Sequence, residues 1–405
     1  MEYVIFVAAL VGVLAILMLM GYLDYKREEK RFIRRLYEEY GVLPQREYKW
    51  EEFQNISHYF LKHREGFYVD DITWNDLNMD ELFMQMNYTW SAAGEEYLYY
   101  LLRKPCMDRE ELQKREEIIE FFRENQEERV STQLIFSKLG RCGKFSIYDY
   151  LDYLDDLGKR SNLAHYLSLG LVLWSIVVMF TSLPMGLLML VCVLIYNNVT
   201  YFKTQKEIEP YIVSFAYVFR LLDAVDAFKG RRIGLLKKEL DELNACRNQM
   251  KFFKAGAYIV MSGARMTGSA GNPLDLLLDF LRMGFHLDLI KFNQMLSEVR
   301  KHIGEIDKMV TIMGRVEALI AVGAFREAYK YCVPEFADKK SIMAQGIYHP
   351  LINDPVPNSI NTNGSVLITG SNASGKSTFL KTLAINAILA QTIHTCLAER
   401  FVTGM

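Results

Sequence analysis

The sequence predicts a mainly α-helical chain with transmembrane helices that passes, near its end, into the start of an α/β domain. Three observations carry this prediction. Tyr3–Leu23 is uncharged, and residues 161–202 contain no Asp, Glu, Lys or Arg. The polar parts mix both charge signs with apolar residues at helical spacing, as in Arg109–Glu128 with its stripe of Leu112, Ile118, Ile119 and Phe122. From Met343 the pattern switches to short β-like runs interrupted by Pro350, Pro355 and Pro357, followed by a Gly-rich turn.

Composition sets the outer bounds. At 405 residues the chain has room for about two or three domains. Hydrophobic residues make up 51%, which is high for a wholly water-exposed protein and ordinary for one with a few membrane spans. The net charge of −2 gives no argument for a nucleic-acid partner. Six cysteines are scattered with no Cys-x-x-Cys pair, which argues against a disulfide framework or a zinc site and fits a reducing compartment.

The first element, residues 1–23, is long enough to cross a hydrocarbon layer of ~30 Å. It begins Met1-Glu2-Tyr3 and ends Leu19-Met20-Gly21-Tyr22-Leu23, so it has neither the positive start nor the small-residue cleavage site of a signal peptide. It reads as an uncleaved anchor. Residues 24–66 form a charged helix and a linker marked by Gly41, Pro44 and Tyr48, and residues 67–162 are helical.

Residues 163–200 are too long for one span. Thr181-Ser182-Leu183-Pro184 supplies a turn, which predicts a transmembrane hairpin of helices near Leu163–Phe180 and Met185–Val199. A charge at the centre of either would cost about 2.5–3.5 kcal/mol on insertion. Lys26, Arg27, Lys30, Arg31, Arg34 and Arg35 follow the first span; Lys159 and Arg160 precede the hairpin; Lys203 and Lys206 follow it. These positive flanks place both polar parts in the cytoplasm and the N-terminus outside. Residues 201–340 predict helices over Ile208–Ala227, Ile233–Lys254, Leu274–Phe285, Leu287–Met309 and Thr311–Tyr331, with Pro273 at an N1-like position of the third. Residues 341–405 begin the α/β part.

The sharpest motif is Gly370-Ser371-Asn372-Ala373-Ser374-Gly375-Lys376-Ser377-Thr378. A short strand is expected before it, over Ser365–Thr369, and a helix after it, opening Thr378–Ala384. In that context backbone N–H groups and a helix N-terminus cradle phosphates. Lys376 would reach the terminal phosphates and the Ser377 hydroxyl would ligate Mg²⁺. His349, before Pro350, reads as a structural histidine bonded locally, and His394 as a surface or cap residue. His349 has no identifiable partner acid in the sequence.

These segments resemble the MutS family of DNA mismatch-repair ATPases. Gly370–Thr378 with Asn372 at its third position, the Ala- and Leu-rich helix and Cys396-Leu397-Ala398 look like the family's loop, helix and following strand. Tyr348-His349-Pro350-Leu351 and Val356-Pro357-Asn358-Ser359-Ile360 are similar to its His-Pro motif and to the segment beside the adenine. Asp71-Ile72-Thr73 to Leu77, Tyr88-Thr89 to Gly94 and Leu101-Leu102-Arg103-Lys104-Pro105 look like its helical core domain. Ile306-Asp307 and Tyr331-Cys332-Val333-Pro334-Glu335-Phe336 look like its closing lever helix. The resemblance covers about residues 67–125 and 287–405. It makes 67–162 and 201–340 a MutS-like core and lever, and 341–405 the N-terminal part of a P-loop ATPase domain.

The resemblance implies ATP and Mg²⁺ as cofactors, with Gly370–Thr378 on the phosphates and Val356 on the adenine side. It implies a homodimer through the ATPase domains and, as a family property, DNA as a partner. The departures point to membrane-anchored MutS-like proteins. Only a short polar stretch precedes the core, where the family carries mismatch-reading and connector domains. Phe122-Arg123-Glu124 lies inside a charged helix and is no mismatch-probing Phe-x-Glu. The hairpin has no counterpart in ordinary MutS. No Walker B Asp-Glu pair, signature loop or late His lies between Thr378 and Met405. As written, the site is therefore expected to be incomplete for hydrolysis, since such carboxylates hold the metal and position water. Two other classes stay open: a catalytically inactive membrane scaffold or binding module, and an ABC-transporter-like ATPase, which expects more spans.

Overall fold

The computed structural model describes residues 2–404 apart from 47, 143–145, 155–157, 159, 232, 252, 255, 257–259, 261–281, 339–340 and 372–374. The expected helix Leu274–Phe285 lies largely outside the described residues, as do Asn372, Ala373 and Ser374 of the motif.

Among the described residues the N-terminal part is a run of nine helices: α1 (Glu2–Glu38), α2 (Trp50–Ile56), α3 (His58–His63), α4 (Asp71–Asp76), α5 (Met79–Met86), α6 (Ala92–Arg103), α7 (Arg109–Glu124), α8 (Gln126–Leu139) and α9 (Ile147–Tyr153). The apolar N-terminal stretch and the charged segment that follows are one continuous helix, α1. Asp70, Ser91, Asp108 and Ser146 cap α4, α6, α7 and α9 by accepting N–H groups of the first turn.

The hairpin follows as α10 (Leu163–Met179) and α11 (Leu183–Phe228), then α12 (Lys237–Gln249), α13 (Leu287–Lys301) and α14 (Ile303–Ala328). Two boundaries differ from expectation. The segments Met185–Val199 and Ile208–Ala227 fuse into α11, which runs on through Pro210; Lys203, Gln205, Lys206 and Glu207 between them are good helix formers. The break expected between Met309 and Thr311 falls instead at His302, which caps α13. Thr311 continues α14, its hydroxyl bonded to the Tyr59 hydroxyl at 2.8 Å.

α14 is the axis of the core. It has no charge from Ala318 to Phe325, and every one of those residues is buried. It packs on α6, α7, α12 and α5. Its crossing with α6 is close because Gly314 faces Ala93 and Tyr97. A Cβ there would lie 2.8 Å from the Tyr97 Cβ and nearer still to the Ala93 carbonyl. Fully burying a Leu, Ile or Phe side chain contributes about 1.5–3 kcal/mol. α14 supplies such side chains as Leu319, Ile320 and Phe325.

Among the described residues, one helical stretch is long and apolar enough to cross a membrane, Leu183–Glu209 of α11. α10, at 17 residues, is shorter. The expectation of three spans is thus supported for one. α10 and α11 pack together along Gly186, where any side chain would strike Met179. Their outer faces leave Leu167, Trp174, Leu188, Ile195 and Val199 about three-fifths exposed.

The final part holds one sheet, β1 (Glu335–Ala337), β2 (Ile342–Ile347), β3 (Asn358–Thr362) and β4 (Arg400–Gly404), with α15 (Lys376–Ile393) between β3 and β4. Spatial order is β1-β4-β2-β3, with β1 parallel to β4 and the other pairs antiparallel. The strand expected at Ser365–Thr369 is not formed. β4 already has β1 and β2 on its two sides, so no partner edge is left there, and Leu367 stands 87% exposed. The strand expected at Cys396–Ala398 is reduced to one bridge, Cys396 to Cys332, and β4 starts later, at Arg400.

Candidate nucleotide site

α15 starts at Lys376, directly after the Gly-rich turn. Gly375 caps it with φ +85°, a conformation that favours glycine, and its carbonyl accepts the Phe379 N–H at 2.9 Å. The Lys376 ammonium folds back onto the loop, donating to the carbonyls of Gly370 and Ser371, the latter at 2.6 Å. Ser377 and Thr378 are exposed on the first turn.

A cleft of about 650 Å³ opens at this helix end. Gly370, Gly375, Lys376 and Thr378 line one wall, and Val356 and His349 the other. The fold therefore brings Val356 to the same cleft as the loop, though 14 residues separate it from Gly370 (370 − 356). Val356 is 79% exposed. His349 is buried, and its Nδ1 accepts the Leu351 N–H at 3.2 Å. Burial, helped by the nearby Lys381 charge, pushes its pKa down, so the ring is neutral at pH 7. It shapes the turn.

The donor set suits a polyphosphate with its metal. It offers an ammonium and the N–H groups of a helix N-terminus, with the exposed primary hydroxyl of Ser377 on the same turn but not among the lining residues. No carboxylate among the described residues lines this cleft apart from Asp354.

What holds the far end of α15 was not visible to motif reasoning. Asn386, fully buried, accepts the Leu397 N–H at 2.5 Å and donates to the Tyr348 carbonyl at 3.5 Å, joining α15 to the His-Pro segment. Arg115 of α7 donates to the Thr392 carbonyl at 2.6 Å. Arg326 of α14 donates to the His394 carbonyl and to Thr395 Oγ1, each at 2.9 Å. His394 caps α15 with φ +53°. It is no surface residue: it is buried, stacks on Phe336, and its Nδ1 lies 3.0 Å from Glu116. Burial would raise the Glu116 carboxyl, but the bonds from Arg326 and His394 outweigh it and bring it down to about 2. The sequence carried one signal, since Arg326 is the first charge after the apolar run of α14.

With this geometry in view, the similarities are informative. The DNA mismatch repair protein MutS of Staphylococcus carnosus (strain TM300) is 30% identical over 126 residues, 29% of this chain and 14% of that protein. MutS of Staphylococcus haemolyticus (strain JCSC1435) and of Staphylococcus aureus (strain JH9) are each 29% identical over the same shares. Part of this chain is MutS-like. It spans about 14% of the length of these curated relatives. No family model matches the chain.

Proposed function

We propose that this chain is a membrane-anchored, MutS-like nucleotide-binding protein whose cleft at the start of α15 holds Mg·ATP. The observation that carries it is the joining of Val356 with Gly370, Gly375, Lys376 and Thr378 in one cleft at a helix N-terminus. In this reading Lys376 and the first-turn N–H groups take the phosphates, Ser377 contributes its hydroxyl to the metal, and Val356 packs beside the adenine. Bound Mg²⁺ would neutralise phosphate charge. The role of Lys376 is to exchange its two loop carbonyls for phosphate oxygens.

The ties at the far end of α15 support a further part of the reading. A shift of α15 on nucleotide binding would be carried by Arg326 into α14 and by Arg115 into α7. In the full assembly two copies would meet through their nucleotide domains, and DNA would be the partner of the helical part. Both proposals rest on the MutS similarity. The membrane role rests on α11 and on the apolar, positively flanked stretches of the sequence; in this reading the chain crosses three times, with the N-terminus outside and the cleft in the cytoplasm.

Calorimetry with Mg·ATP on the purified chain tests this. Lys376→Ala should weaken binding at least about tenfold, as expected for loss of charge-assisted phosphate contacts. Equal binding by both proteins would remove the site. No binding by either would favour the scaffold reading.

A further inference from the structure

A second cavity, of about 480 Å³, lies far in sequence from the nucleotide loop, between the end of α1, the linker that follows and the core helices. Its floor is buried and polar. Gln133 of α8 is 4% exposed, and its Oε1 has no hydrogen-bond partner. The buried Tyr88 hydroxyl, on a residue lining the same cavity, also has none. Buried polar atoms left unpaired cost about 1–3 kcal/mol each, so such a pair in one cavity marks a place where something else supplies the bonds.

The rim is cationic. Arg35, Arg46 and Arg141 line the cavity against a single lining carboxylate, Glu39. Arg46 and Arg141 share Glu95, at 2.6 and 3.1 Å, and Arg46 also meets Glu52. Arg35 forms no ion pair among the described residues and is exposed. The partly buried Trp90 supplies an aromatic wall, and Val42, 56% exposed, stands at the mouth.

We propose that this cavity binds a small organic anion with a flat apolar body, its charge against the Arg35 side of the rim and its polar edge on Gln133 and Tyr88. The volume suits a ligand of one or two rings. A guanidinium without a carboxylate partner recognises an anion at the smallest cost in broken pairs. An inorganic anion would leave Trp90 and the floor groups unused. The site is independent of the nucleotide cleft.

The test uses the full chain in detergent, titrated calorimetrically with 6-hydroxynaphthalene-2-sulfonate, whose hydroxyl can donate to the Gln133 Oε1 and accept from the Tyr88 hydroxyl, against protein-free micelles. The wild type should bind with Kd of about 1 mM or tighter. Arg35→Ala should weaken binding about tenfold, and Val42→Trp, which blocks the mouth from an exposed position, should abolish it. Lys376→Ala should bind as the wild type does. The neutral 6-hydroxynaphthalene-2-carboxamide should bind at least about tenfold more weakly. Equal heats for wild type and Val42→Trp would mean partition into micelles or surface binding and would overturn the proposal. So would equal affinity for the neutral analogue, loss of binding in Lys376→Ala, or no binding by the wild type at about ten times the expected Kd.

Discussion

Arg326 and Glu116 form a two-pronged ion pair, with Nη1 to Oε1 at 2.7 Å and Nη2 to Oε2 at 2.6 Å. The Arg326 side chain is wholly buried, and Nη1 also reaches Glu120 at 2.8 Å. The pair joins α14 to α7, and the same guanidinium holds the end of α15 through the His394 carbonyl. Removing one partner leaves the other buried and uncompensated. Arg326→Ala should destabilise the chain by about 3–5 kcal/mol in urea unfolding. Arg326→Lys should recover little, because an ammonium cannot reproduce the fork. Loss of less than about 1 kcal/mol in Arg326→Ala would show that the network is ornamental.

Glu317 gives a pH dependence. It is buried in the middle of α14, where it accepts the Trp90 N–H at 2.6 Å, the Ser91 N–H at 3.1 Å and the Ser91 hydroxyl. Burial raises its pKa to about 7, and these donors only partly offset it. The folded form therefore binds a proton that the unfolded chain has released between about pH 4.5 and 7. Stability from this group is present below the unfolded pKa and declines as pH rises to about 7. Glu317→Gln keeps the shape without the charge. Relative to wild type it should gain on the order of 1–3 kcal/mol between pH 5 and pH 8. A constant difference across that range in denaturant titrations would refute the assignment.

Close approach of α6 and α14 predicts a steric effect. Gly314→Ala should cost about 1–3 kcal/mol, since the new methyl meets backbone at Ala93, which cannot rotate away. A Tm equal to that of wild type would mean that the two helices separate freely.

Ile195 lies near the middle of the apolar stretch of α11 and is 60% exposed. In a lipid setting Ile195→Arg should cost about 2.5–3.5 kcal/mol and shift the chain out of the alkali-resistant membrane fraction. On a water-exposed helix the same change would stay within about 0.5 kcal/mol. Unchanged fractionation and unchanged stability together would argue against the span.

How much the sequence disclosed follows from the range of the interactions involved. The helix after the loop was legible, though it starts at Lys376 and not at Thr378, because local spacing and backbone preference decide it. The turn at Thr181–Pro184 was legible for the same reason. The fused α11 was not, because Pro210 within it is a local signal against a continuous helix, and the uninterrupted α14 was not, because no Gly or Pro lies between Met309 and Thr311 to fix a boundary either way. The Ser365–Thr369 strand was misread because a strand needs a neighbour, and its apolar residues say nothing about which edge is free. The Arg326–Glu116–His394 cluster escaped notice, although His394 was read as a surface or cap residue, because its members are far apart in sequence and meet only in the fold.

The central claim is that the cleft at α15 holds a nucleotide through Lys376. The direct measurement is Mg·ATP binding by calorimetry on wild type, Lys376→Ala and Val356→Asp. Binding that weakens at least about tenfold in Lys376→Ala, and also falls in Val356→Asp, is the predicted result. Binding that is identical in all three proteins would contradict it.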